Sequence, residues 1–233
     1  EDGIRDDLVT GVQTCALPIF SESFLMLREV SPDHRDIREG IYLAGPNQWP
    51  ASLPDFRNVI MEYQTSMQHL ALSLILALDT ALGLQGRMAR WFDEPTTWLR
   101  LLHYPPQDQH APEDEFGSAP HTDFGAITLL AQDDVGGLSV RSPHGDWWDV
   151  EPRSDTFVMN VGDVLSRWSG GLLRSTPHRV TNRTGRERFS IPFFFDPSMR
   201  APLDLENPDS ENFADYVRHH LEGSYDHHQG EGA

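Results

Sequence analysis

Apolar residues recur at helical spacing over one long stretch of the chain. The pattern predicts a helix over residues 56–82, with Ser52 as its N-cap and Pro54 in its first turn. Shorter periodic stretches predict further helices over residues 87–92 and 211–221. The helical segments therefore flank the middle of the chain, where the pattern is different.

From residue 96 onwards, short apolar stretches alternate with Gly, Pro and Asp, which is typical of strands joined by turns. The predicted strands are residues 97–104, 126–132, 137–142, 147–150, 156–161, 175–181 and 187–195. This spacing predicts a mainly β fold with flanking helices, built on a double-stranded β-helix (jelly roll) core. We assign the core to residues 96–198, between an N-terminal loop and helical support region (20–95) and a C-terminal helix and tail (199–233).

Residues 1–19 show no helix or strand period, and they lack the basic start and apolar run of a signal peptide. They look like translated read-through of a sequencing adapter. We therefore treat them as a non-native segment and expect the natural chain to begin upstream. Residues 20–50 are rich in loop-forming residues, and a rigid turn is expected at residues 45–50.

Composition excludes several classes of function. The chain has 233 residues, a formal net charge of -18 and a pI near 4.8, which disfavours binding to nucleic acid or anionic membranes. All 18 basic residues are arginines, and the absence of lysine excludes Schiff-base chemistry and a P-loop. Cys15 is the single cysteine, and no apolar run is long enough to span a bilayer. We expect a cytoplasmic monomer that acts on a small molecule.

Three potential metal ligands occur in one ordered set, namely His121, Asp123 and His178. Residues two apart project to the same face of a strand, so His121 and Asp123 can aim at one ion, and His178 must arrive from elsewhere. Two imidazoles and one carboxylate on one side of an ion are typical of non-haem iron(II) oxygenases. A zinc site is less favoured, because no thiolate is available near these residues.

The same period of two applies to Arg188 and Ser190. On one strand they would present a guanidinium and a hydroxyl together. The planar fork of arginine pairs with both oxygens of a carboxylate, so the pair predicts a binding site for an acid. We interpret Asn160 and Asp163 as turn residues that satisfy backbone groups.

Together, several motifs resemble the isopenicillin N synthase-like branch of the Fe(II)/2-oxoglutarate-dependent dioxygenases, and we identify the chain as a bacterial, N-terminally truncated member. The resemblance covers residues 20–197 and rests on residues 100–105 (RLLHYP), 120–125 (PHTDFG), 129–134 (LLAQDD), 135–138 (VGGL), 159–163 (MNVGD), 175–180 (STPHRV) and 187–193 (ERFSIPF). It implies that the iron ligands are His121, Asp123 and His178, and that Arg188, Ser190 and Tyr104 contact 2-oxoglutarate. Leu102 stands where the family has the Asn of an Asn-x-Tyr motif.

The resemblance also implies the reaction, in which O2 and the co-substrate 2-oxoglutarate are consumed at Fe(II) while a small molecule is oxidised, by default through hydroxylation. Two alternatives stay open, namely an iron oxidase of the same fold that needs no 2-oxoglutarate, and a non-catalytic metal-binding jelly roll or inactive fragment. In related bacterial enzymes, the region of residues 20–50 resembles a lid near the substrate. The other interpretation is a packed connector in which Trp49 covers the core.

Overall fold

The computed structural model describes residues 21–108, 110, 112 and 115–226, and two antiparallel sheets form its centre. The strands are β1 (Glu22–Leu27), β2 (Thr96–Tyr104), β3 (Ser118–His121), β4 (Ile127–Gln132), β5 (Leu138–Arg141), β6 (Trp147–Asp149), β7 (Val158–Val161), β8 (His178–Val180) and β9 (Arg188–Asp196). The larger sheet has the order β1-β2-β9-β4-β7, and the smaller has the order β3-β8-β5-β6. The predicted mainly β fold with a double-stranded β-helix core is confirmed.

Strand β9 shows how one sequence serves both faces of the larger sheet. Phe193 and Phe195 are fully buried and belong to the hydrophobic core shared with the helices. Arg188, Ser190 and Phe194 project from the opposite face of β9, and they line a cavity between the two sheets. Because side chains alternate across a strand, one face of β9 builds the core and the other builds a pocket.

Four α-helices and one 3₁₀ helix occur among the described residues. They are α1 (Arg35–Arg38), α2 (Phe56–Ala81), the 3₁₀ helix (Ala89–Phe92), α3 (Asp163–Trp168) and α4 (Phe213–Asp226). Helix α2 buries Ile60, Met67, Ala71 and Ile75 in the same core as Phe193, and this spacing gives one apolar stripe. None of these helices has the combination of length and apolarity that a membrane-spanning helix needs.

Several local predictions were wrong. Helix α2 has Asp55 at its N-cap position, so Ser52 and Pro54 precede the helix. Helix α4 begins at Phe213, two residues later than predicted, and continues to Asp226.

The segment 20–50, predicted as loop-rich, contributes β1, which pairs with β2 at the edge of the larger sheet. Strand β1 (ESFLML) has no clean alternation of apolar and polar residues, and four of its six residues are half-buried. Strand β3 and helix α3 were also missed, since both are short and β3 contains Pro120. The adapter interpretation of residues 1–19 lies outside the described residues.

Candidate active site

The two histidines of the predicted triad lie on neighbouring strands. His121 ends β3, His178 begins β8, and the two are direct cross-strand partners. Asp123 lies in the turn after β3, so it does not share a strand with His121, and the expected period-two geometry was wrong. The structure nevertheless brings all three together, with one ligand atom from each within 4.8 Å of the others.

The turn that carries Asp123 is held by backbone contacts to the start of α3. The amide of Asp163 donates to the carbonyl oxygen of Asp123 over 2.8 Å. A Cβ at Gly162 would lie 2.3 Å from the carbonyl oxygen of Gly125 and 2.9 Å from that of Asp123, so this approach requires glycine. Backbone packing of the turn therefore places the Asp123 carboxylate opposite the imidazoles.

Both imidazoles have their orientation set by a backbone carbonyl. The Nδ1 of His121 lies 2.7 Å from the oxygen of Ala119, and the Nδ1 of His178 lies 3.1 Å from the oxygen of Thr176. A carbonyl only accepts, so each Nδ1 carries the proton and each Nε2 keeps its lone pair. The two Nε2 atoms lie 3.8 and 3.7 Å from Oδ1 of Asp123. Three donor atoms thus converge on one point.

The second oxygen of Asp123 is occupied by two protein donors. Nδ2 of Asn160 donates to Oδ2 over 2.6 Å, and the hydroxyl of Thr128 donates to the same atom. Thr128 and Asn160 are cross-strand partners on β4 and β7. Asn160 is therefore part of the site, and its interpretation as a turn residue was wrong. Its place in the MNVGD motif was the available signal, but the contact depends on strand pairing that the motif does not reveal.

Burial and neighbouring charge keep one imidazole neutral. Burial lowers the pKa of His121 below its ordinary value of 6.5, and the proximity of His178 and of the Arg100 guanidinium acts in the same direction. The Asp123 carboxylate and the hydrogen bond to Ala119 oppose this shift. A neutral imidazole is the form that binds a metal ion.

Arg188 is fully buried although it carries a permanent charge. Its Nε donates to the carbonyl oxygen of Gly136 over 2.6 Å, and one terminal nitrogen donates to the hydroxyl of Ser190 over 3.2 Å. The other terminal nitrogen lies 3.4 Å from Oε1 of Gln132. Within the described part of the chain, Arg188 forms no ion pair with a carboxylate. A buried cation without a counter-ion is unfavourable, so this position favours an anionic ligand.

Tyr104 lies beside Arg188. The two are cross-strand partners on β2 and β9, and the guanidinium carbon lies 4.8 Å from the centre of the Tyr104 ring. Gly117 makes room for this ring, since a Cβ there would approach it to 2.6 Å. Leu102, at the position where the family has Asn, pairs with Ser190 and contributes an apolar surface.

One cavity of about 680 Å³ joins the three converging ligand atoms to Arg188. Its apolar walls include Leu25, Leu27, Trp98, Phe124, Phe194 and Leu221. Phe194 on β9 contributes to this wall and also packs against the hydrophobic core. Tyr42 and Leu43 also line the cavity, whereas Trp49 packs against Phe56 of α2, so segment 20–50 contains both a cavity wall and a connector.

The donor set fits iron(II) and 2-oxoglutarate. Among the described residues, two imidazole nitrogens and one carboxylate oxygen converge and no thiolate joins them, which matches the facial triad of non-haem iron oxygenases. The oxygen of Asp123 that does not face the imidazoles is already hydrogen-bonded, which leaves one oxygen for the ion. The buried guanidinium of Arg188 offers the counter-charge for a diacid in the same cavity.

Comparisons with known proteins agree with this geometry. A family model described as the 2OG-Fe(II) oxygenase superfamily matches residues 95–197. The 2-oxoglutarate-Fe(II) type oxidoreductase hxnY of Emericella nidulans is 41% identical over 190 residues, covering 76% of this chain and 53% of that protein. Clavatol oxidase claD of Penicillium crustosum is 36% identical, covering 90% and 68%.

A solved structure, that of a full-length Neurospora crassa protein in complex with alpha-KG, superposes with a TM-score of 0.75 at 30% identity, covering 89% of this chain and 67% of that one. The chain thus spans about half the length of hxnY, and about two thirds of claD and of the Neurospora crassa protein. Fold, converging ligand atoms and sequence similarity agree, and the chain belongs to the 2OG-Fe(II) oxygenase superfamily.

Proposed function

We propose that this protein couples the oxidative decarboxylation of 2-oxoglutarate to the oxidation, by default the hydroxylation, of a small-molecule substrate. In this proposal His121, Asp123 and His178 bind iron(II), and Arg188 and Ser190 bind the distal carboxylate of 2-oxoglutarate. Tyr104 completes the co-substrate site. When bound, the iron supplies the activation of O2 that oxidises the substrate as 2-oxoglutarate loses carbon dioxide.

The residues of the chain would bind, orient and shield the reactants. The carbonyl oxygens of Ala119 and Thr176 keep both Nε2 atoms free for the metal. Thr128 and Asn160 hold the Asp123 carboxylate so that its other oxygen faces the ion. The apolar cavity walls exclude water, which strengthens electrostatic interactions within the site.

One observation carries the co-substrate assignment, namely the full burial of Arg188 in the same cavity as the triad. An iron(II) ion and Asp123 together carry one positive charge, and Arg188 adds a second. A dianion such as 2-oxoglutarate balances this sum. The retained pair Arg188 and Ser190 argues against an oxidase that does not use 2-oxoglutarate, because the buried guanidinium favours a bound diacid in the same cavity as the triad.

Anaerobic titration of the iron(II)-loaded protein with 2-oxoglutarate tests the proposal. We expect a metal-to-ligand charge-transfer band to appear with 2-oxoglutarate, and succinate release to accompany oxygen uptake once air is admitted. Oxygen uptake without the band would favour the oxidase that needs no co-substrate. Iron binding with neither signal would favour a non-catalytic jelly roll.

The proposal also covers the branch of the family, the cellular location, the oligomeric state and the bounds of the oxygenase domain. We place the protein in the isopenicillin N synthase-like branch, as a cytoplasmic monomer whose oxygenase domain spans residues 96–198. The motifs of residues 100–105 and 187–193 and the acidic composition support this placement. A sedimentation measurement of molar mass tests the monomer, since a dimer would double the expected value.

A further inference from the structure

Gln132 contacts Arg188 from outside the cavity that joins Arg188 to the triad. Oε1 of Gln132 accepts a hydrogen bond of 3.4 Å from a terminal nitrogen of Arg188. Gln132 ends β4 and is the cross-strand partner of Ser190 on β9. It does not line that cavity, and it lines instead a second cavity of about 520 Å³ whose walls are mostly exposed. Gln132 therefore lies behind the guanidinium, on the side away from the proposed co-substrate.

Three contacts fix the guanidinium of Arg188, one at each of its nitrogens. Nε donates to the carbonyl oxygen of Gly136, and the two terminal nitrogens donate to Ser190 and Gln132. A guanidinium has one N–H on Nε and two on each terminal nitrogen, so these contacts leave one N–H on each terminal nitrogen. A carboxylate can accept from both of these groups at once. The contact with Gln132 thus helps to decide which N–H groups face the cavity.

Gln132 is a neutral acceptor in a strongly acidic chain of net charge -18. Asp133 and Asp134 follow it directly, but Asp133 accepts from the Phe189 amide and Asp134 forms an exposed ion pair. A carboxylate at position 132 would pair with the buried Arg188 and cancel the charge that a diacid needs. An amide offers an acceptor oxygen without this cost.

The second cavity brings further carboxylates towards the rear of the clamp. Asp149 and Glu151 line it together with Gln132. Arg188 does not line this cavity and is fully buried, so the side chain of Gln132 separates its guanidinium from these carboxylates and from solvent. Without that side chain, water and carboxylates would compete with 2-oxoglutarate for the same N–H groups.

We propose that Gln132 is a positioning residue of the co-substrate site, which orients the fork of Arg188 without cancelling its charge. This inference rests on the proposed function, because it concerns how the same site binds 2-oxoglutarate. The amide oxygen of Gln132 holds one terminal nitrogen, so that the remaining N–H groups face the cavity. The hydroxyl of Ser190 accepts from the other terminal nitrogen and keeps its own proton for the same carboxylate.

Two ligands that differ only at the distal carboxylate isolate this role. 2-Oxoglutarate carries that carboxylate, and 2-oxopentanoate has a methyl group in its place. Each is titrated into the anaerobic protein loaded with iron(II), and the charge-transfer band gives both dissociation constants. Their ratio measures the preference for the diacid. General damage to the site weakens both ligands and keeps the ratio, whereas a misoriented fork weakens 2-oxoglutarate alone.

Two substitutions of similar size change different properties of residue 132. Gln132→Glu adds a charge, so an ion pair with Arg188 must be broken before the diacid binds, and we expect the preference to fall by about tenfold or more. Gln132→Met removes the acceptor without adding a charge, and we expect a fall of roughly twofold to tenfold. Iron content and the affinity for 2-oxopentanoate should stay at the wild-type level in both variants.

Gln48→Glu is the matched control, because Gln48 is exposed, lines neither cavity and receives the same charge. It should keep the wild-type preference. The inference is wrong if either Gln132 variant keeps that preference, since an unchanged Gln132→Met protein does not need the acceptor and an unchanged Gln132→Glu protein does not need a neutral residue. If Gln132→Glu does not fold, Gln132→Met decides alone.

The wild-type titrations separate this inference from the proposed function. A wild-type protein that forms no charge-transfer band with 2-oxoglutarate contradicts the proposed function itself. A wild-type protein that forms the band but binds both ligands equally has no clamp for Gln132 to orient, and the inference alone is then wrong together with the role of Arg188.

Discussion

His121 and His178 are direct cross-strand partners, with ring centres 4.3 Å apart and ring planes inclined by 55°. Strands β3 and β8 fix this separation through their backbone pairing. Each Nδ1 is bonded to a carbonyl two residues earlier, so both Nε2 atoms face the same side. Two ligands of the proposed iron site are therefore preorganised by the sheet before a metal ion arrives.

Removal of one of these imidazoles should abolish tight iron binding. For His178→Ala we expect iron(II) affinity to fall by roughly 100-fold or more, because even loss of an outer partner of a ligand costs about 10–100-fold. Iron content after equilibrium dialysis measures the effect. His69→Ala is the control, since His69 is exposed on α2, and it should bind iron as the wild type does. Equal iron content in the two variants would contradict the proposed ligand set.

Asn160 should matter although it does not face the ion. Loss of its 2.6 Å hydrogen bond in Asn160→Ala frees the Asp123 carboxylate to rotate, and we expect iron affinity to fall by about 10–100-fold. Thr128→Val removes the other donor to the same oxygen and gives a parallel test. A double variant shows whether the two donors act together. If neither single variant changes iron affinity, the ligand oxygen of Asp123 is oriented by its backbone alone.

The sequence was sufficient to predict those strands and ligand candidates that depend on the local pattern of residues. The alternation in β2 and β9 set their bounds to within about one residue, and the spacing of His121, Asp123 and His178 was sufficient to name the ligand candidates. The contact from Asn160 to Asp123 was not predictable, because it depends on how β4 pairs with β7.

Other features depend on tertiary packing in the same way. The burial of Arg188 under the loop at Gly136 has no local signature in the sequence. Strand β1 escaped detection because its residues do not alternate cleanly between apolar and polar. Local periodicity therefore identifies strands with one solvated face more readily than edge strands of this kind.

Arg188→Leu should separate co-substrate binding from iron binding. Loss of the charged fork removes about 3 kcal/mol, so we expect the dissociation constant of 2-oxoglutarate to rise by roughly 100-fold while iron still binds. Anaerobic titration of the charge-transfer band measures both. Arg186→Leu is the control, because Arg186 is exposed and pairs with Asp134, and it should titrate like the wild type. An unchanged 2-oxoglutarate requirement in Arg188→Leu would refute the clamp.

Tyr104 should contribute through its hydroxyl as well as its ring. Tyr104→Phe keeps the ring beside Arg188 and removes one hydrogen-bonding group, so we expect the dissociation constant of 2-oxoglutarate to rise by about threefold to tenfold. Tyr104→Leu also removes the cation–π contact and should have a larger effect. If Tyr104→Phe binds 2-oxoglutarate normally, the role of Tyr104 is limited to packing against the guanidinium.

Asp196 should make the stability of the metal-free protein depend on pH. Burial raises its pKa from 3.8 to about 7, and the negative charge of Asp123 acts in the same direction. The hydrogen bond that the Ala126 amide donates to Asp196 opposes this rise. A carboxyl whose pKa rises on folding lowers the free energy of unfolding as pH increases from about 4 to 7, and the loss is complete above that range. Asp196→Asn keeps an acceptor for the amide and removes the charge.

We therefore expect Asp196→Asn to be more stable than the wild type at pH 8, by on the order of 2 kcal/mol, and to show little advantage at pH 4. Thermal unfolding of chelator-treated protein at both pH values gives the comparison, because a bound cation beside Asp123 would itself lower the pKa of Asp196. Asp209→Asn, an exposed carboxyl, is the control and should show the same small difference at both pH values. An advantage of Asp196→Asn that does not grow between pH 4 and 8 would mean that Asp196 is not the group that titrates.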